Sequence, residues 1–177
     1  MSSTKFSVKL GKKLTTRQLV TLSALIAVAM ILSYVESMIP AFVAVPGVKV
    51  GLSNIATVFA LYALGWPYAI CVSVVRVFLS ALLFGNFVSL IYSLSGATLA
   101  LVVMILLKKL DKFSTVGVSV AGGVGHNIGQ TIAACIVMEN AAISLYIIPL
   151  LVSGTISGVL IGLVAGNLVE RIKKHIK

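Results

Sequence analysis

Acidic residues are nearly missing from this chain: 177 residues hold 4 Asp and Glu against 14 Lys and Arg, and charged side chains make up only 10% of the whole. An average soluble domain carries about 25% charged residues, so this composition does not supply a water-facing surface. The four acids, Glu36, Asp111, Glu139 and Glu170, are far apart in the chain, which excludes the acid-rich motifs that hold magnesium on a diphosphate. Cysteine is equally scarce, and neither it nor histidine forms a pair at metal-ligand spacing. Cys71 and Cys135 both fall within apolar runs, near opposite membrane faces in the topology below. They read as small apolar residues rather than a disulfide. A Walker phosphate loop and a nucleophile elbow are also absent. No cofactor motif remains, and energy-coupled transport would need another chain to use ATP.

What is present is mostly hydrocarbon. Hydrophobic residues make up 59% of the chain and the mean hydropathy is +1.14, which describes a polytopic membrane protein. The length fits one domain, with room for roughly six helices at about 20 residues per crossing. Runs broken by Gly, Pro and charge place helices near 18–36, 51–65, 67–84, 87–107, 115–138 and 142–169. The fold expected is therefore an all-α integral membrane protein: a basic segment over 1–17, one six-helix transmembrane domain over 18–169 and a basic tail over 170–177. The basic start and the apolar run 19–32 have the outline of a secretory signal. That run is long and five further spans follow, so it reads as the first transmembrane helix.

The net charge of +10 does not point to nucleic acid, because the cations fall in three clusters beside apolar segments. These are Lys5, Lys9, Lys12, Lys13 and Arg17; Lys108, Lys109 and Lys112; and Arg171, Lys173, Lys174 and Lys177. Clusters so placed mark the cytoplasmic side and attract anionic lipid headgroups. All three agree on cytoplasmic termini. The connection 37–50 then lies outside, and Pro40, Pro46 and Gly47 make it a shaped loop suited to act as a lid. The segment after it is short for a crossing and opens with Gly51, Ser53 and Asn54. A helix start there, partly unwound, offers amides to an anion, as half-helices do at transporter sites.

Arg76 is the one charge in the apolar run 67–85. A fixed cation in hydrocarbon must face the bundle interior and find an anion, amides or carbonyls. With no acid inside an apolar run, a negatively charged ligand is a natural partner. His126, Asn127 and Gln130 stand within one short stretch of helix five, and His126 and Gln130 share a face. Under the assigned topology Asn54, Asn86, Asn127, Gln130 and Asn140 lie in the outer half, Glu36, Lys49 and Glu139 at the outer rim, and Arg76 and His126 near the midplane. These residues outline a pocket open to the outside and floored by Arg76 and His126. Tyr92, beside the small face formed by Ser89, Ser93, Gly96 and Ala97, is placed to stack on a flat ligand. The glycines Gly154, Gly158, Gly162 and Gly166 recur every fourth residue, a stripe for close helix packing.

The segments Pro46-Gly-Val-Lys-Val-Gly-Leu-Ser-Asn54 and Gly125-His-Asn-Ile-Gly-Gln130 resemble the family called Gx transporters, also labelled heptaprenyl diphosphate synthase component I. That family looks like a branch of the substrate-binding S components of energy-coupling factor transporters. The resemblance implies six helices in the cytoplasmic membrane of a prokaryote, an outward-facing pocket lined by Lys49, Asn54, Arg76, His126, Asn127 and Gln130, and a gating loop between helices one and two. It also implies a transmembrane coupling protein and two ATPases as partners. The Ala-x-x-x-Ala docking pattern common in S components has its nearest match here in Ser23-x-x-x-Ala27.

Three functions follow as expectations. The first is a substrate-binding subunit for uptake of a small anionic or amphipathic metabolite, such as a vitamin or a quinone or isoprenoid precursor. The second is a quinone- or flavin-binding component of an electron-transfer assembly, with His126 and neighbouring amides on a quinone carbonyl. The third is an accessory component of prenyl diphosphate synthesis, which the missing acidic motifs disfavour.

Overall fold

A computed structural model describes residues 15–38 and 51–175. These form six α-helices: α1 (Thr16–Met38), α2 (Asn54–Ala63), α3 (Trp66–Phe84), α4 (Phe87–Leu110), α5 (Thr115–Val137) and α6 (Ile147–His175), with a 3-10 turn, Ala141–Tyr146, leading into α6.

The boundaries have local causes. Gly65, at φ +112°, turns the chain between α2 and α3, a conformation open to glycine because it has no Cβ. Pro67 follows in the first turn of α3, where no amide is needed. Asn86 caps α4: its Oδ1 accepts from Ser89 N at 2.8 Å and its own amide donates to Ser89 Oγ at 2.9 Å. Ser114 caps α5 by accepting from Gly117 N at 3.1 Å. Asn140 Oδ1 accepts from Ala142 N at 2.9 Å and opens the 3-10 turn.

Four segments are long and apolar enough to cross a membrane: Gln18–Met38, Trp66–Phe84, Phe87–Leu110 and Ala141–Ile172. The sequence predicts six crossings, with the second short; the other two helices fall outside the set of four for separate reasons. α2 has 10 residues, a length of about 15 Å against a hydrocarbon core of about 30 Å. α5 has 23 residues but is rich in glycine and polar side chains, and it packs between α4 and α6.

Helix contacts close a ring in the order α4, α5, α6, α2, α3 and back to α4, while α1 leans on α3 and α2 from outside. Tyr34 meets Phe84 with ring centroids 5.3 Å apart, and Ser80 Oγ reaches Met30 Sδ at 3.7 Å, so α1 and α3 run in the same direction. α2, α4 and α6 run the opposite way, so neighbours around the ring alternate except for α6 and α2, which are parallel. The start of α1 and the ends of α4 and α6 therefore share one face, which gathers Lys108, Lys109 and Arg171 at the same end of the bundle.

The glycine stripe of α6 is used within the chain. A Cβ on Gly158 would stand 2.6 Å from Val120 Cα, and one on Gly162 2.6 Å from Val116 Cα. Gly154 lies against Gly123 in the same way. Backbones this close lower the cost of association in a lipid setting, where burial of apolar surface gives no driving force. The outer surface is correspondingly apolar: Leu82, Phe87, Leu145 and Ile148 are 71–79% exposed. Exposed aromatic residues mark both ends, Trp66 and Phe113 at the lysine-rich one and Tyr34, Phe84, Phe87 and Tyr146 at the other, as membrane interfaces favour. Cys71 and Cys135 are free.

Candidate functional site

The start of α2 falls beside Arg76, which rises from the middle of α3. Two residues at that start hold the guanidinium: Arg76 Nη1 donates to Ser53 Oγ at 2.6 Å and Nη2 to Asn54 Oδ1 at 3.3 Å. Its Nε is buried and has no partner among the described residues. The direct partners are thus neutral. The nearest acid is Glu36, in the last turn of α1, which lies within electrostatic reach of Arg76 but forms no direct ion pair with it. Glu36 Oε1 instead accepts the Gly51 amide. Gly51 sits at φ +74°, where a side chain would be strained. This position turns the chain so that its amide points at α1.

Asn54 also faces inward. With Thr57 of α2, Ser73 of α3, and Ser119 and His126 of α5, it forms the polar part of a cavity on the ring axis, walled on the α4 side by Ala97, Ala100, Leu101 and Met104. The space at its centre is about 20 Å³, enough for about one water molecule. Thr57 is only 2% exposed, and its Oγ1 has no partner among the described residues. Buried hydroxyls are ordinarily bonded, so this one marks a place for a polar guest. His126 lies across Gly96, whose missing side chain makes room for the imidazole.

The sequence candidates separate accordingly. Asn54 and His126 line the cavity, and Arg76 sits behind Asn54 as its hydrogen-bond partner. Glu36 holds the approach to α2. Asn127 donates to the Leu150 carbonyl of α6, a bond between helices. Asn86 is engaged as the cap of α4 and is exposed. Tyr92 and Gln130 are partly buried and stand outside the cavity lining. Ser23 and Ala27 are exposed on α1. Lys49 lies outside the described residues, as does most of the loop expected to act as a lid.

Sequence reasoning did not single out Ser53, Thr57, Ser73 and Ser119 as site residues. A spacing signal was available: Thr57 stands three residues after Asn54, and Ser73 three before Arg76, which puts each pair on one helix face. Hydroxyls, an amide, an imidazole and a guanidinium suit recognition of a polar ligand by hydrogen bonds.

Comparison with curated proteins gave no match, and comparison with solved structures gave none. Residues 25–168, from α1 into α6, match the family model described as heptaprenyl diphosphate synthase component I, and the chain belongs to that family.

Proposed function

We propose that the chain is the substrate-binding membrane subunit of an uptake system, similar in role to the S components of energy-coupling factor transporters. Its ligand is a small anionic or amphipathic metabolite that enters from outside. The observation that carries this reading is the environment of Arg76: a guanidinium in the membrane interior whose partners among the described residues are Ser53 and Asn54, with Nε unpaired among them. Desolvating a cation costs several kcal/mol, and neutral hydrogen bonds offset only part of that. A negatively charged ligand supplies the remainder.

The polar cavity shared by Asn54, Thr57 and His126 supports the same reading, since it continues inward from the cation. The lysine-rich end of the bundle supports cytoplasmic termini. Transport then requires a coupling protein and ATPases as partners, for which the exposed face around Ser23 and Ala27 is the candidate dock.

A second reading, an accessory component of prenyl diphosphate synthesis, is favoured by the description of the family. The four acids stand on α1, after α4, after α5 and on α6, so the chain has no acid-rich motif of the kind that holds magnesium on a diphosphate, and the described residues hold no group of three or more His, Cys, Asp or Glu suited to a metal ion. In that reading the chain supplies or docks a substrate.

Native mass spectrometry of the gently solubilised protein tests both. The uptake reading expects a bound anionic metabolite that is missing from Arg76→Ala, and transporter subunits in the same preparation. A co-purifying prenyl synthase, with prenyl transfer dependent on this chain, would replace it with the second reading.

A further inference from the structure

Among the described residues two cations flank α2, and one of them is where a helix favours it. Lys108, in the last turn of α4, donates to the Leu61 carbonyl near the end of α2 and stands 4.9 Å from the ring centre of Tyr62. A cation at a helix C-terminus is stabilising, because the macrodipole is negative there. Arg76 is at the opposite end, against Ser53 and Asn54, where the helix already carries roughly half a positive charge. α2 has 10 residues, long enough to present that charge. This end is therefore doubly positive and needs an anion.

Glu36 is the anion there now. Its carboxylate takes the Gly51 amide at the head of the turn in which Asn54 N donates to Gly51 O at 2.8 Å and Ile55 N to Leu52 O at 3.1 Å. From that seat it satisfies neither of the two buried groups close by, Arg76 Nε and Thr57 Oγ1. Thr57, 2% exposed, faces the cavity that Asn54 shares. The site thus holds one carboxylate on its rim and retains unmet hydrogen-bonding capacity further in.

We infer that Glu36 is the resting occupant of a carboxylate seat at the start of α2, and that the ligand is a small monocarboxylate whose entry displaces it. This deepens the uptake reading and rests on it. The occupant indicates the chemistry of the guest: Glu36 presents a singly charged carboxylate to the Gly51 amide, and a free carboxylate can add the pairing with the guanidinium edge at Nε that Glu36 does not make. Exchanging one carboxylate for another leaves the charge at α2 unchanged. Phosphate or diphosphate brings more negative charge than Arg76, the single described cation at this end, offsets. Displacement also breaks the tie between Glu36 and Gly51, so that ligand occupancy and the hold of α1 on α2 become alternatives.

The test uses the full chain in detergent, titrated by calorimetry with sodium hexanoate and, separately, with inorganic phosphate. The expected result is hexanoate binding about 10-fold tighter in Glu36→Gln than in the parent protein, within the range of ordinary coupling between competing sites. Binding is lost in Arg76→Ala, and phosphate is weaker than hexanoate throughout. Equal or weaker hexanoate binding in a Glu36→Gln protein with the parent melting temperature overturns the displacement, as does a preference for phosphate. If no variant binds either probe and none carries a co-purified ligand, the uptake reading itself fails. A second measurement needs no substitution: saturating hexanoate should raise deuterium uptake across residues 33–38 in the parent protein, and unchanged uptake there counts against the proposal.

Discussion

His126 and Gly96 occupy one space between α5 and α4: a Cβ on Gly96 would stand 2.8 Å from the His126 carbonyl oxygen and 2.9 Å from its Nε2. The imidazole reaches the cavity because position 96 has no side chain.

Gly96→Ala should therefore push α4 and α5 apart. Overpacking of this kind costs about 1–3 kcal/mol, readable as a lower melting temperature in detergent. Ligand retention should fall with it, since His126 lines the cavity. Adding His126→Ala to Gly96→Ala should recover only part of the stability, because the clash with the backbone oxygen persists.

Along α6 the same substitution should give graded results. Gly158→Ala and Gly162→Ala meet α5 backbone at 2.6 Å and should each lose about 1–3 kcal/mol. Gly166→Ala, whose nearest neighbour would be 3.7 Å away, should be neutral or gain up to about 1 kcal/mol from helix propensity. Equal losses at all three positions would mean that the stripe acts through something other than contact with α5.

Arg76 allows stability and binding to be separated. Arg76→Met removes a buried cation, a gain of several kcal/mol, and leaves Ser53 and Asn54 short of partners, a loss of about 1–3 kcal/mol each. The melting temperature should change little while bound ligand disappears. Arg76→Lys keeps the charge but lacks the planar fork, and affinity should fall about 10-fold or more. Retention of ligand by the methionine variant would contradict the assigned role.

Asn127→Ala should cost about 0.6–2 kcal/mol through the lost bond to the Leu150 carbonyl and leave ligand affinity unchanged. Calorimetry on the variant decides between packing and recognition at this position.

Hydropathy and breakers located all six helices in the sequence to within a few residues, since long apolar runs and Gly-Pro boundaries are local signals. α6 was the largest departure: its first turn is 3-10, set by the Asn140 cap, and it runs on to His175. The close-packing role of the Gly154 to Gly162 repeat was legible because spacing alone defines it. The cavity was not. Ser73 and Ser119 lie in different helices, and a single hydroxyl in an apolar run carries no period that marks it as interior. Only closure of the ring, with α2 between α6 and α3, brings these hydroxyls around one axis. Asn86 illustrates the opposite case: an amide at a helix end serves equally well as a cap or a ligand contact until Ser89 is seen bonded to it.

α2 is the low side of the ring, 10 residues beside ring neighbours of 19 and 29, so in the uptake reading its start lies partway through the bilayer. In the orientation proposed above, an anion that reaches it from outside crosses roughly half of the transmembrane voltage. With the interior negative, that passage opposes binding by about 1 kcal/mol per 100 mV for a single charge. In sealed vesicles the ligand should therefore bind more tightly when the membrane is depolarised.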